Sequence, residues 1–386
     1  MTHSDQLWTR SRAVLAHIAD GAAGRESDRV LPHAQIRQLA EAELATWRVP
    51  VDHGGPGVSV RETIEFVIAL AAADANIAQA LRSHFSFVEH VRTSPSPTER
   101  KRWFARVLDG QLFGLASGEI GGAQGEIRAR VVRHGDQWRL NGEKYYCTGT
   151  LFAEWTVVSA LDEDGVRRAI AVPTDRDGVT LLDDWDGVGQ RLTASGTTRL
   201  VDVRVTEEDF LDRAYGTQGG RPRIAPFLQL FLAAVEVGIG RNVLSDAVVY
   251  AQQQARPIKH SEAARSVDDP HVQHVVGEMS ARIYAAEAAV LRAAEAIDRV
   301  DEDPEALLAA SLEVSRAQFI AIESALRSAE LLFDVGGARM TRREHNLDRH
   351  WRNARTVANH NPRAYKAAAV GAYELAGIEP PLSGFF

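Results

Sequence analysis

The chain has 386 residues, of which 45% are hydrophobic and 25% charged. This composition excludes a disordered or fibrous protein, and the length predicts two or three domains. The single cysteine, Cys147, excludes an intramolecular disulfide and a thiolate zinc cage, and a net charge of −8 disfavours nucleic-acid and anionic-membrane partners. We expect a cytoplasmic protein without a membrane span or an apolar signal segment.

The first 110 or so residues have the pattern of α-helices. Pro32 marks the start of a short helix, and another is expected after Asp74. Ser59–Glu62 and Ser96–Glu99 both match the capping box, in which the serine hydroxyl and the glutamate satisfy free amides at a helix start. The sequence therefore opens with a domain of several amphipathic helices.

Strand and turn signals replace the helical pattern from about residue 111 to 206. Asn141-Gly142 and Asp164-Gly165 predict hairpin turns, because type I′ turns need positive φ at both central residues. Val201, Val203 and Val205 alternate with polar residues, as in a half-buried strand.

Three long helical segments follow, at about 224–254, 268–300 and 304–335. Helices of this length are typical of a bundle that packs along its whole side, against other subunits as well. The predicted fold is multi-domain α+β, with a helical domain at 1–111, a β-barrel or sandwich at 112–215 and a four-helix bundle at 216–386.

Common catalytic motifs are missing from the sequence. It contains no G-x-x-x-x-G-K-[ST] phosphate loop, no G-x-G-x-x-G after a strand, no H-E-x-x-H and no G-x-S-x-G. A Rossmann enzyme, a hydrolase with a nucleophile elbow and a zinc enzyme are therefore disfavoured.

Three strings resemble the acyl-CoA dehydrogenase superfamily over nearly the whole chain: LNGEKYYCTGT (140–150), DDWDGVGQRLTASGTTRLVDVRV (183–205) and VGGARMTRREHNLDRHWRNART (335–356). Within it, DDW (183–185), QARP (254–257) and HWRNARTVANHNPRAYK (350–366) resemble the dibenzothiophene-type monooxygenases, a branch that includes sulfur and amine monooxygenases. The resemblance implies an acyl-CoA dehydrogenase-like fold.

The resemblance also implies a two-component reaction. Reduced FMN, with FAD as the alternative flavin, would come from a separate NAD(P)H:flavin reductase and react with O2 to a C4a-hydroperoxyflavin. The hydroperoxyflavin would oxygenate a small organosulfur or amine substrate. The expected assembly is a homotetramer or a dimer.

One absence favours the monooxygenase branch. A dehydrogenase needs a carboxylate base, which in the superfamily would fall at or beside Asn361, or alternatively near Leu228. No acid lies between Arg349 and Tyr373 or from Arg213 to Val235, and an asparagine cannot act as a base at neutral pH.

The resemblance assigns cofactor-binding positions residue by residue. Arg256 and Arg339 match phosphate-contacting positions that come from different subunits in the family. Trp185 matches a tryptophan stacked near the isoalloxazine ring, Thr148 a hydroxyl residue that bonds flavin N5 or the peroxide, and Ser117 a position at the pyrimidine edge, with Glu119 beside it.

A histidine is the expected proton donor, because its pKa lies near neutral pH. His360 matches the active-site histidine of the branch, and His84 matches a second histidine that would face the same pocket. Val357 stands where related sulfur monooxygenases often carry another histidine, which puts dibenzothiophene specificity in doubt.

The substrate cavity is expected to lie among Phe85, Phe87, Trp185 and the apolar C-terminal tail, which favours a small and largely apolar substrate. Two other functions stay open at this point. One is an acyl-CoA dehydrogenase or oxidase with its base elsewhere. The other is an inactive, flavin-less helical binding or scaffold protein.

Overall fold

The computed structural model describes residues 3–123, 125–211, 221–257 and 259–386. The N-terminal part contains six helices: α1 (His3–Ala19), α2 (Ala22–Asp28), α3 (His33–Glu41), α4 (Val60–Ala73), α5 (Ala75–Thr93) and α6 (Pro97–Leu108). Both predicted capping serines, Ser59 and Ser96, accept hydrogen bonds from the amides three residues later. Asp74 caps α5 in the same manner, through the amide of Asn76.

Eight strands then form one sheet: β1 (Phe113–Ala116), β2 (Arg130–His134), β3 (Gln137–Lys144), β4 (Trp155–Leu161), β5 (Arg167–Pro173), β6 (Val179–Leu181), β7 (Thr198–Val205) and β8 (Phe210–Leu211). The strand order is β6-β7-β3-β2-β4-β5-β8, and β1 pairs with β4 in parallel. The expected domain boundary at 215/216 lies outside the described residues.

Two strand predictions are wrong in detail. Asn141-Gly142 is not a turn: it lies inside β3, which pairs with β2 and β7 on its two sides and contains a bulge between Leu140 and Gly142. Tertiary pairing on both edges overrides the local turn signal. Val201 points outward with 60% exposure, because the left-handed φ of 52° at Asp202 breaks the strand alternation.

The C-terminal part consists of α7 (Ala225–Gln253), α8 (Pro270–Glu302), α9 (Leu307–Leu331), α10 (Arg349–Ala358) and α11 (Arg363–Ala376). The three long helices match the predicted segments. By length and composition α7 could cross a membrane, yet 78% of its most apolar window is buried in the protein, so it is the central core helix. Gly238 permits its contact with α4, because a Cβ there would lie 2.4 Å from the Ala71 Cβ.

The core of this bundle contains one unpaired acid. Glu236 on α7 is 0% exposed, and neither carboxyl oxygen has a hydrogen-bond partner among the described residues. Desolvation raises the pKa of Glu236 well above its ordinary value, against the opposing charges of Arg355 and Arg363. The side chain is therefore a neutral carboxylic acid in the folded protein.

Glu236→Gln should flatten the dependence of stability on pH. Because the pKa is raised in the folded state, wild-type stability is highest below the ordinary pKa of a glutamate and falls as the pH rises above it. A neutral amide has no such dependence, so the loss of Tm between pH 5 and pH 8 should be smaller in the variant.

The matched control is Glu41→Gln, at an exposed position at the end of α3. Thermal denaturation of the three proteins across this pH range measures the effect. Parallel Tm profiles for wild type and Glu236→Gln would show that Glu236 is ionised in the fold.

Candidate functional site

Two loops of the sheet domain form one wall of the candidate site. They comprise residues 145–150, after β3, and 183–197, between β6 and β7. Hydrogen bonds join them, from the Cys147 amide to the Gly196 carbonyl at 3.1 Å and from the Gly149 amide to the Thr193 carbonyl at 3.0 Å. The thiol of Cys147 is 2% exposed, and burial raises its pKa to about 11.

These loops hold non-glycine residues in left-handed backbone conformations. Tyr146 has φ 63°, Gln190 φ 52° and Ala194 φ 50°. Each such residue costs about 1–3 kcal/mol, and strain of this kind persists where the surroundings fix it, often at functional sites. Here the Gln190 amide donates to Asn353 of α10 at 2.7 Å, which attaches the second loop to the helical bundle.

Thr148, Ser195 and Thr193 form a chain of hydroxyl groups. The Oγ atoms of Thr148 and Ser195 lie 2.8 Å apart, and those of Ser195 and Thr193 lie 2.7 Å apart. Thr193 also donates to the Gln190 carbonyl at 2.9 Å. A carbonyl only accepts and each hydroxyl has one proton, so Ser195 donates to Thr193 and Thr148 donates to Ser195. The oxygen of Thr148 is left as an acceptor.

Aromatic rings lie beside this hydroxyl chain. Trp185 is partly buried, and its indole NH donates to the Gln190 carbonyl at 2.8 Å. Tyr146 is 57% exposed, and its ring centroid lies 6.0 Å from that of Trp185. Arg29, the residue directly after α2, donates to the Trp185 backbone carbonyl at 3.0 Å and helps to fix its position. The pair presents an oriented aromatic surface next to Thr148.

Ser117 lies at the exit of β1, next to the same wall. The adjacent Gly118 carbonyl accepts from the Tyr145 amide at 3.1 Å. The Ser117 hydroxyl contacts Ser159 at 3.2 Å and accepts from Arg167 at 3.0 Å. The backbone after Ser117 is therefore joined to the start of the 145–150 loop, while the Ser117 hydroxyl is held by Ser159 and Arg167.

The Glu119 carboxylate is paired with a structural partner and is not free to contact a ligand. It forms an ion pair of 2.6 Å with Lys144, which is 0% exposed, and accepts from the amides of Ala129 and Arg128. Desolvation raises the pKa of Glu119, but these hydrogen bonds outweigh it and lower the pKa to about 2. The pair joins the segment after β1 to β3, and the two amide bonds attach residues 128 and 129 to Glu119.

Helix α5 supplies the second side of the site. The Ser83 hydroxyl donates to the Thr148 carbonyl at 2.8 Å, and Arg82 Nη1 lies 3.4 Å from His360 Nε2. An arginine only donates, so His360 Nε2 accepts and the ring proton is on Nδ1. Desolvation and then Arg82 lower the pKa of His360 to about 3, so the ring is neutral at neutral pH. The role of His360 as a proton donor stays a prediction.

His84 does not share this pocket, contrary to expectation. Its side chain is 1% exposed, its Nε2 bonds the Ala45 carbonyl at 2.9 Å, and its ring packs on Phe85 and Phe113. Burial lowers its pKa to about 4. Residues 82 and 84 are about 200° apart around a helix, so Arg82 faces His360 while His84 faces the core. Phe85 and Phe87 are also enclosed in the core and do not line an open cavity.

The two positions for a dehydrogenase base meet in space, and neither supplies a carboxylate. The Leu228 carbonyl accepts from Arg82 Nε at 3.3 Å. The Asn361 amide donates to Gln229 at 2.8 Å and to the Phe385 carbonyl at 3.0 Å. The next acid along α7 is the buried, neutral Glu236. Asn361 thus holds the C-terminal tail beside His360.

Arg256 and Arg339 are exposed, at the far end of the bundle. Their segments are neighbours there, because Gly336 packs against Tyr250 near the end of α7. Within the described part of one chain, no hydrogen bond or ion pair joins either arginine to Thr148, Trp185 or His360. Within a single chain, the two arginines are therefore not joined to the other candidate site residues.

Sequence reasoning missed three residues of the site: Arg82, Tyr146 and Ser195. The signal for Arg82 is a charge in a helix whose other residues are almost all buried. Tyr146 and Ser195 depend on loop conformation, which the sequence does not specify.

Comparison with known proteins agrees with this geometry. Residues 7–111 match the acyl-CoA dehydrogenase N-terminal domain family and residues 230–363 the C-terminal domain family, together more than half of the chain. The probable FMNH2-dependent monooxygenase SfnC of Pseudomonas putida is 30% identical, covering 96% of this chain and 95% of its own.

Two solved structures are also closely similar. TdsC of Paenibacillus sp. A11-2, in complex with FMN and indole, has a TM-score of 0.90 at 28% identity, covering 98% of this chain and all of its own. The methanesulfinate monooxygenase MsuC of Pseudomonas fluorescens has a TM-score of 0.89 at 27% identity, with 98% and 99% coverage.

The fold and the aromatic, hydroxyl-lined wall define a flavoenzyme of acyl-CoA dehydrogenase architecture. The chain belongs to the acyl-CoA dehydrogenase superfamily and, within it, to the flavin-dependent monooxygenases.

The Glu119–Lys144 pair supports a stability prediction. Glu119→Gln should destabilise the protein by about 3 kcal/mol, because it leaves a buried ammonium without its counter-charge. The lowered pKa of Glu119 means that its stabilisation is present above about pH 4.5 and is lost as the pH falls towards 2.

Urea unfolding at pH 7 measures the loss, and the double variant Glu119→Gln/Lys144→Met is the control. It should recover most of the stability, because it removes the stranded charge. If Glu119→Gln is as stable as wild type, the Glu119–Lys144 ion pair does not stabilise the fold.

Proposed function

We propose that this chain is the oxygenase component of a two-component system that uses reduced FMN from a separate NAD(P)H:flavin reductase. It would use O2 to oxygenate a small organosulfur compound in the cytoplasm. The observation that carries the proposal is the wall of Trp185, Tyr146 and Thr148 facing His360 without a carboxylate base. A dehydrogenase must remove a substrate proton, and Asn361, Leu228 and the neutral Glu236 offer no means of doing so.

The residues present fit a flavin. Trp185 and Tyr146 offer aromatic surface for a planar ring, and the hydroxyl chain leaves an acceptor on Thr148. The reduced ring carries an N–H at N5 and the oxidised ring a bare nitrogen, so an acceptor at this position favours the reduced form. When bound, reduced FMN supplies the two electrons that activate O2.

The protein's own groups orient and protect the reaction. Thr148 would hold the flavin through its acceptor oxygen, because its own proton points away along Ser195 and Thr193. His360 presents an Nδ1–H, because Arg82 occupies its other nitrogen. The tail held by Gln229 and Asn361 limits access of water to this side of the site.

Arg256 and Arg339 are the proposed phosphate ligands, since a guanidinium fork matches a phosphate. Their distance from the aromatic wall in one chain favours a site completed by another subunit. We therefore infer a homo-oligomer, with a homotetramer as the expected form.

The names of the relatives point to organosulfur substrates of two kinds. TdsC is a dibenzothiophene monooxygenase, which acts on a neutral aromatic molecule, and MsuC is a methanesulfinate monooxygenase, which acts on a small anion. The residues around His360 must decide between the two kinds for this chain.

The functional test combines the purified chain with a flavin reductase, NADH, FMN and O2. Oxygenated organosulfur product should form only with the reductase present, and H2O2 should replace it when substrate is omitted. His360→Ala should keep FMN binding and H2O2 release but lose most product. Equal turnover of an acyl-CoA with an artificial electron acceptor would refute the monooxygenase assignment.

The hydroxyl chain predicts a preference for reduced flavin. Wild type should bind reduced FMN more tightly than oxidised FMN. Ser195→Ala lets the Thr148 hydroxyl turn and donate, so the ratio of the two Kd values should shrink by about 3- to 10-fold. Anaerobic titration of the reduced form and fluorescence quenching of the oxidised form give both constants.

Thr9→Ala is the control for this measurement, because it removes an exposed hydroxyl that donates to the Asp5 carbonyl on α1 and leaves the hydroxyl chain intact. An unchanged Kd ratio in Ser195→Ala would contradict the proposed direction of the hydrogen bonds.

A further inference from the structure

Arg82 carries a positive charge that no acid neutralises among the described residues. Its hydrogen bonds there are those to the Leu228 carbonyl and to His360 Nε2, at 3.3 and 3.4 Å, and both partners are uncharged. Desolvation alone lowers its pKa, to about 10, so the guanidinium is still protonated at neutral pH.

Four other arginines with little exposed side-chain surface are paired with carboxylates. Their N–O distances are between 2.6 and 3.2 Å, in the pairs Arg25–Asp74, Arg48–Glu89, Arg349–Asp246 and Arg352–Glu26. Pairing of this kind is the rule, because an isolated charge away from water is costly. Arg82 lies at the candidate site and has no carboxylate partner among the described residues. An anionic ligand would supply the missing negative charge.

Arg82 is partly buried, and His360 beside it is exposed. A small molecule can therefore reach both side chains from solvent, although the surrounding protein desolvates the Arg82 guanidinium. Ser83, the next residue, holds the Thr148 carbonyl at 2.8 Å. A small molecule that reaches Arg82 is therefore next to the wall assigned to the flavin.

We propose that Arg82 binds an anionic oxygen of the substrate, and that the substrate is a small organosulfur anion of the sulfinate type. This inference rests on the proposed function and goes beyond it by naming the charge of the substrate and the residue that selects it. It replaces the expectation of a largely apolar substrate.

The reaction balances for such an anion. One oxygen atom of O2 forms a bond to the sulfur of R–SO2⁻ and gives R–SO3⁻. The other leaves as water, with two electrons and two protons from the reduced flavin. The charge of the organic molecule is the same before and after, so Arg82 can hold it throughout.

The test compares Arg82→Met, Arg82→Lys and the control Arg292→Met, which removes an equal charge from an exposed site on α8. Methanesulfinate is the anionic probe and dimethyl sulfone the neutral one. Arg82→Met should raise the KM for methanesulfinate by about 10- to 100-fold, Arg82→Lys should raise it less, and the control should match wild type.

Two measurements separate substrate binding from folding. Methanesulfinate should raise the Tm of wild type but not of Arg82→Met. Without ligand, Arg82→Met should be at least as stable as wild type, because it removes an unpaired enclosed charge. A marked loss of Tm in this variant would show that Arg82 has a structural role and would overturn the proposal.

The assay also separates failure of this inference from failure of the proposed function. H2O2 release with reduced FMN reports the flavin chemistry and should be equal in wild type and the control Arg292→Met. If no variant releases H2O2, the proposed function fails, while the Tm shift still tests the anion site. An unchanged KM for methanesulfinate, a wild-type preference for dimethyl sulfone or an equal loss of FMN affinity in Arg82→Met would overturn the assignment of Arg82.

Discussion

The hydrogen bond from Ser83 to the Thr148 carbonyl is the contact on which the candidate site depends. It attaches helix α5 to the loop after β3, and these two elements carry the groups of opposite sides of the site. On the sheet side are Thr148 and the rings of Tyr146 and Trp185, and on the helix side is Arg82 with His360. The candidate site needs both sides, because the sheet side supplies the aromatic surface and the helix side supplies the imidazole and the guanidinium.

The resemblance implies that the same fold can serve dehydrogenation or oxygenation. A dehydrogenase needs a carboxylate base, and this chain lacks one at the expected positions. By its resemblance to the superfamily, a dehydrogenase base would fall at or beside residue 361, or near residue 228. The asparagine is instead a donor to Gln229 and the Phe385 carbonyl, so it ties α7 to the C-terminal tail. Lys366 adds a second bond to that carbonyl and lies 4.2 Å from the Phe386 ring. Asn361 therefore replaces a possible base and also holds the C-terminal tail in place.

Much of the fold could be predicted from local sequence, because its signals are local. Capping serines, long Ala- and Leu-rich helices and the period change near residue 111 all depend on neighbours within a few positions. Asn141-Gly142 was misleading because β3 has partners on both edges, which are remote in sequence. The site was less predictable. Arg82 and His84 are two residues apart in a helix buried on nearly all sides, so the pattern does not show which one faces His360.

Cys147 has a consequence for the durability of the enzyme. A system that activates O2 releases peroxide whenever substrate is missing, and the form of cysteine that peroxide attacks is the thiolate. Because burial raises the pKa of Cys147 to about 11, its thiol is almost wholly protonated near neutral pH. The single cysteine of the chain therefore lies beside the candidate site in the form that peroxide attacks least.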